Sequence, residues 1–169
     1  MGTRNLTVVK DSQGTTKIAL YGQWDGYPSY SGIKALEFLR DKTNRDNLLD
    51  SLDLVQFIDE EESNQIWESF EHDTDDPTKF QLVHPGLTRD TGIDILKFVA
   101  SPYRLNVVKM IDNSEFRNDT LFCEGVYEVD FKTNKFITTY NDTVIKYDLD
   151  NLPTDELYLA SFEKDLTNA

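Results

Sequence analysis

Apolar residues in this chain follow two different rhythms. Between Gly32 and about residue 100 they recur every three to four positions, and from 105 to 149 β-branched and aromatic residues alternate with polar ones. The start of the chain is strand-like. Leu6, Val8 and Val9, then Ile18, Leu20 and Tyr21, flank Asp11-Ser12-Gln13-Gly14, which predicts a hairpin. Ile33, Leu36 and Leu39, with Ala35 and Phe38 beside them, predict a first helix with Ser31 as its N-cap. Leu48, Leu49, Leu52, Val55 and Phe57 predict a second helical segment. Ile66, Trp67 and Phe70 predict a third, its amino terminus receiving the acids Asp59 to Glu62. Asp73-Thr74-Asp75-Asp76-Pro77 ends it.

Beyond that, 105–111, 121–131, 135–140 and 143–149 read as four strands of a meander, spaced by Asn and Asp turns. A last amphipathic helix runs from about Pro153, through Leu157, Leu159, Ala160 and Phe162, to about Leu166. The expected fold is α+β. One antiparallel sheet, made from the amino-terminal hairpin and the carboxy-terminal meander, is covered by helices, with Val8, Ile18 and Leu20 buried against Leu36 and Phe98. A chain of 169 residues with 38% hydrophobic content supports one such core, so residues 1–169 read as a single domain.

Charge adds to this picture through its distribution. No lysine or arginine lies between Arg45 and Lys79, while the interval holds Asp46, Asp50, Asp53, Asp59, Glu60, Glu61, Glu62, Glu68, Glu71, Asp73, Asp75 and Asp76. Those twelve acids account for −12 of the net −14 and leave −2 for the rest of the chain. Such a segment projects a local negative field, steering basic protein surfaces and repelling nucleic acid and anionic membranes. The plainer reading is a solvated helical face that keeps the protein soluble. No run is apolar for the length a bilayer requires, and the amino terminus is polar where a secretory signal would be apolar, so the chain is expected to be cytoplasmic. A lone cysteine, Cys123, allows no internal disulfide, and Leu121 and Phe122 beside it predict a buried thiol in a reducing compartment. The sequons at Asn5, Asn118 and Asn141 carry no weight without export.

The densest chemistry is Gly22-Gln23-Trp24-Asp25-Gly26-Tyr27-Pro28-Ser29-Tyr30-Ser31-Gly32, at a strand-to-helix junction. As a site, Trp24, Tyr27 and Tyr30 would stack on a planar or sugar group while Gln23 and Asp25 bond its polar edge. As architecture, Trp24 and Tyr27 would plug the sheet edge, Asp25 would cap the turn at Gly26 and Pro28 would stop the strand. Ser31-Gly32-Ile33-Lys34-Ala35-Leu36-Glu37-Phe38-Leu39 is echoed by Thr91-Gly92-Ile93-Asp94-Ile95-Leu96-Lys97-Phe98-Val99. Two core helices that begin alike account for the echo more simply than a repeat or a pair of anion-binding helix ends.

Gly2-Thr3-Arg4-Asn5-Leu6, the Tyr21 to Pro28 stretch, and the Glu124 to Phe131 run with its Lys132-Thr133-Asn134-Lys135 turn together resemble a family of small, largely uncharacterised proteins of phages, bacteria and fungi. The resemblance implies a shared fold and a phage or bacterial setting, and brings no activity with it. Tyr30 departs from the small or polar residues of that family beside the helix entry and would narrow a pocket there.

Three classes of function follow. The first is a non-enzymatic acidic interaction protein, with Glu60, Glu61 and Glu62 at the centre of its partner-binding face, in its sharpest form an inhibitor of a basic, nucleic-acid-binding host protein. The second is a small-ligand module built on Gln23, Trp24, Asp25 and Tyr27. The third is an enzyme, best drawn as an N-terminal-nucleophile hydrolase using Thr3, although removal of Met1 alone would leave Gly2 in front of it. His72 and His84 have no serine or cysteine at motif spacing. Asp73, Asp75 and Asp76 lack the glycine and closing glutamate of a calcium loop. No metal, cofactor, direct nucleic-acid contact or membrane contact is expected. The sequence leaves catalytic residues and oligomeric state open.

Overall fold

The computed structural model describes residues 2–101 and 106–163. Strands β1 (Asn5–Lys10) and β2 (Thr16–Gly22) form the expected antiparallel hairpin, with Val9 opposite Ile18 and Leu6 opposite Tyr21. Asp11 makes the turn, its carboxylate accepting the Gln13 and Thr15 amides at 2.9 Å each, and Gly14 takes the left-handed φ of +84°. A π-helical turn at Pro28–Gly32 runs into α1 (Ile33–Leu39), followed by α2 (Lys42–Ser51). Next come β3 (Val55–Ile58), α3 (Glu60–Ser69), α4 (Lys79–Val83) and α5 (Ile95–Val99). The remainder is β4 (Val108–Ile111), β5 (Gly125–Asp130), β6 (Lys135–Tyr140), β7 (Thr143–Asp148) and α6 (Asp155–Ala160).

The main sheet has the order β2-β1-β5-β6-β7, so hairpin and meander share one sheet as the α+β reading requires. The joint differs from expectation. β1 and β5 are parallel, Leu6 opposite Val126 and Val9 opposite Val129, which makes the sheet mixed rather than antiparallel. The whole helical half of the chain separates β2 from β5, and a connection of that length permits a parallel return.

The second helical segment is also shorter than its apolar spacing predicts. Helix α2 stops at Ser51, a 3-10 turn covers Leu52–Leu54, and Val55 and Phe57 lie in β3. There they pair in parallel with β4, opposite Val108 and Met110. Val55, Phe57 and Ile58 are β-branched or aromatic, and a partner strand outweighs their helical spacing. The 105–111 run therefore serves this two-stranded sheet and not the meander, which has three strands. Residues 121–124 precede β5 without joining it. Residue 105 and the predicted helix end at 166 lie outside the described residues.

Each strand alternates between two faces. One carries Val9, Ile18, Leu20, Tyr127, Val129 and Phe136 into a core with Leu36, Leu39, Leu48, Leu52, Ile95, Leu96 and Val99. At about 1.5–3 kcal/mol per buried large side chain this layer dominates stability. Ile18 and Leu20 share that core with Leu36. Val8 is buried on the opposite face, beside Leu6 and Tyr21, where the 114–118 turn sets Phe116 edge-on to Tyr21 at 4.9 Å; Phe98 is only half-buried. Helix α6 closes the core. Thr154 caps it, Arg40 reaches the Pro153 carbonyl at 2.9 Å and Asp155 at 2.6 Å, and the buried Tyr158 hydroxyl meets Thr138 at 2.7 Å. Burial holds the Tyr158 pKa well above its ordinary value.

Candidate partner-binding surface

Helix α3 is built by its acids and left open by its packing. Asp59 caps it, accepting the Glu62 amide at 2.8 Å, and Glu60, Glu61 and Glu62 occupy the first turn, where carboxylates complement the helix dipole. No residue of α3 is buried. Glu62 pairs with Lys109 of β4 at 2.9 Å, while Glu60, Glu61, Glu68, Glu71, Asp73, Asp75 and Asp76 are exposed. The structure thus leaves two of the three glutamates singled out from sequence facing solvent and ties the third to a lysine. Asp46 pairs with Lys42 at 2.9 Å and Asp53 with Lys17 at 3.7 Å, and such surface pairs are worth little.

The segment after α3 is held by rings. Phe80 is the buried anchor, with Trp67 at 4.7 Å, Phe70 at 5.0 Å and His84 at 5.3 Å. His72 lies 4.2 Å from Trp67 and its Nε2 is 2.9 Å from the Trp67 carbonyl oxygen. Both histidines of the chain therefore serve an aromatic cluster. Asp73 accepts the Asp75 amide at 2.9 Å and Asp76 accepts the Thr78 hydroxyl at 2.7 Å, so these carboxylates shape turns. Among the described residues no group of three or more acids, histidines or cysteines could hold a metal ion.

Beside this cluster lies a groove of about 570 Å³, lined by Ile66 of α3, Phe70 just after it, Leu82, Val83, Val107 and Lys109. Leu82 is 55% exposed, Val83 51% and Val107 51%, and Trp67 on the adjoining side of α3 is 53% exposed. Sequence reasoning missed this groove. Leu82 and Val83 belong to no predicted element, Val107 reads only as part of the 105–111 strand, and the structure alone brings the three beside Ile66 and Phe70.

The 22–32 junction is bound into the fold at almost every backbone step. The Gln23 amide donates to the Arg89 carbonyl at 3.0 Å, the Gly26 amide to the Thr3 carbonyl at 3.0 Å, and Asn5 Nδ2 to the Trp24 carbonyl at 3.1 Å. The buried Tyr127 hydroxyl donates to the Gly26 carbonyl at 2.6 Å. A Cβ on Gly26 would lie 2.6 Å from the Thr3 carbonyl oxygen, so chain and strand close directly on one another there.

Ser31 does not cap α1. Pro28 starts helical turning earlier, and the Ser31 hydroxyl donates back to the Asp25 carbonyl at 2.6 Å. The echoed segments become short helices with different entries, a π turn before α1 and a 3-10 turn at Gly92–Asp94 before α5, linked by Lys34 and Asp94 at 3.1 Å.

The three aromatic rings of the junction point outward, while Pro28 and Ser31 are buried. Trp24 is 46% exposed, with its Nε1 donating to Asp90 at 2.8 Å. It is not the buried plug that an architectural role would need. Tyr27 and Tyr30 are exposed and meet edge-on at 6.4 Å. Asp25 has a left-handed φ of +54° and accepts the Tyr27 hydroxyl at 3.2 Å, an interaction that raises the Tyr27 pKa; Gln23 accepts the Tyr21 hydroxyl. The structure brings Asp25 to Tyr27, while Gln23 and Trp24 each turn to a different partner.

Two further groups complete the residues singled out from sequence. Cys123 is half-buried rather than buried, lines a groove of about 610 Å³ with Arg117, Glu124 and Val144, and is pushed up to about 11, chiefly by burial. Thr3 is held through its carbonyl behind Gly2, where a Cβ would come within 2.1 Å of the Gln23 carbonyl oxygen.

Among described residues no helix is long and apolar enough to cross a membrane. No family model matches the chain, and neither the curated proteins nor the solved structures contain a significant match.

Proposed function

We propose that the chain is a non-enzymatic acidic interaction module whose 46–78 face engages a basic surface on another protein. One observation carries the reading: the segment that holds twelve acids and no lysine or arginine contains a helix that buries none of its residues and stands beside exposed apolar side chains. A solvated face kept only for solubility needs the acids and not the apolar residues. The field of this face attracts cations and excludes polyanions, so direct nucleic-acid binding is not part of the function. The finer form, inhibition of a nucleic-acid-binding host protein in the cytoplasm of a phage-infected cell, draws its setting from the motif resemblance alone.

A second reading, a small-ligand site at 22–32, has the exposed rings of Trp24, Tyr27 and Tyr30 in its favour. Against it, Gln23, Asp25 and the Trp24 nitrogen are already engaged within the chain. Hydrolysis at Thr3 would require loss of Gly2, whose place against Gln23 and Trp24 is part of the packing.

The test is association with a lysine-glycine peptide, a basic probe without apolar side chains, followed across salt. The association rate should fall steeply between about 0.15 M and about 1 M salt, as the screening length drops from about 8 Å to about 3 Å. A rate indifferent to salt would leave the acids as a solubility device.

A further inference from the structure

We infer that the partner presents a basic amphipathic helix, its apolar residues seated in the groove between α3 and the 82–84 and 106–109 segments and its lysines or arginines set against the carboxylates of the 46–78 face. This rests on the proposed function above and adds the shape and chemistry of the partner. Helix α3 places Glu62, Ile66 and Ser69 along one side at helical spacing, with Phe70 adjoining, and Ile66, Ser69 and Phe70 form one wall of the groove. Leu82, Val83 and Val107 supply the rest of its apolar lining, each more than half exposed. A groove of about 570 Å³ falls within the size range that takes up side chains of a ligand.

Charge names the class of occupant. The acids Glu60, Glu61, Glu68, Glu71, Asp73, Asp75 and Asp76 are exposed on the same helix and the loop that follows it. The lysine in the groove wall, Lys109, is paired with Glu62 and leaves no uncompensated positive charge at that end. A helix fits better than an added strand. β3 covers one edge of the adjoining strand β4, and the Pro85–Leu87 turn packs on β4 so closely that a Cβ on Gly86 would lie 2.4 Å from the Lys109 carbonyl oxygen. A strand would need free backbone groups to pair with; a helix brings its own hydrogen bonds and needs only a groove for its apolar side.

The experiment uses the full chain carrying Trp24→Phe, which leaves Trp67 as its one tryptophan. Three peptides of about fourteen residues with equal lysine content are titrated against it: a leucine-lysine peptide with one apolar face, a scrambled isomer without that face, and a glycine-lysine peptide. The amphipathic peptide should bind at least about tenfold tighter than the other two and shift Trp67 emission to the blue, as the ring leaves water. Leu82→Asp and Val107→Asp should each cancel that advantage, although each adds a negative charge that favours a basic ligand. Both positions are exposed, and circular dichroism confirms the fold of each variant. Equal binding of all three peptides, untouched by Leu82→Asp, would overturn the helix-in-groove inference and leave the acidic-face reading standing. No binding of any peptide at low salt would sink both.

Discussion

Trp24 and Tyr127 separate surface from scaffold at the 22–32 junction. Tyr127 is buried and its hydroxyl is hydrogen-bonded to the Gly26 carbonyl, so Tyr127→Phe should cost about 1–3 kcal/mol by leaving that acceptor without its donor. Trp24 stands half in water, and Trp24→Ala should cost about 1–2 kcal/mol, below the 3–5 kcal/mol typical of a core aromatic. Chemical denaturation of the two variants checks both values; a larger loss for Trp24→Ala would place its ring in the core. The glycines and Pro28 of this stretch were legible as backbone chemistry. The outward turn of Trp24 was not, because it depends on Asp90, distant in sequence, and the Ser31 hydroxyl was not, because Pro28 starts the helical turning early and frees it for the Asp25 carbonyl.

Cys123 gives a pH prediction at the same scale. Its thiol titrates near 11 in the folded chain against an ordinary value of 9.0, so at pH 8 it is almost wholly protonated. Alkylation by iodoacetamide at pH 8 should be much slower in the native protein than in the unfolded one. A raised thiol pKa contributes stability that is present below about pH 9 and is lost as pH rises through about 11. Native alkylation as fast as unfolded at pH 8 would contradict this.

Helix α3 owes its start to Asp59 and its exposure to weak packing. Asp59→Ala should destabilise it by about 0.5–2 kcal/mol, seen as faster amide exchange over 60–69 with less effect on the main sheet. Uniform loss of protection across the chain would mean that α3 unfolds only with the core. The hairpin, α3 and the three meander strands could be read from period and turn residues, since local signals determine each. Val55 and Phe57 could not: their spacing fits a helix, and β4, some fifty residues away, decides for a strand. The same holds for Val8, which an off-by-one choice of strand face had assigned to the core with Leu36.

Across the whole molecule, the amino-terminal hairpin and the carboxy-terminal meander meet in one parallel pairing, β1 with β5, and the helical half covers one face of the sheet they form. The union of the two ends was legible in their shared strand character. The direction of the joint was not, because alternation is the same in parallel and antiparallel strands. Charge is unevenly spread over this frame and is concentrated in the 46–78 segment.

The direct test compares two triple variants that remove the same charge from different places. Glu60, Glu61 and Glu68 to Gln neutralises α3, and Glu37, Glu115 and Glu156 to Gln neutralises exposed acids elsewhere. Stopped-flow association with the lysine-glycine peptide at low salt should slow severalfold for the α3 triple and change little for the control, since steering depends on where charge is concentrated. Equal slowing by the two triples would show that net charge alone attracts the probe, and would contradict a binding face at 46–78.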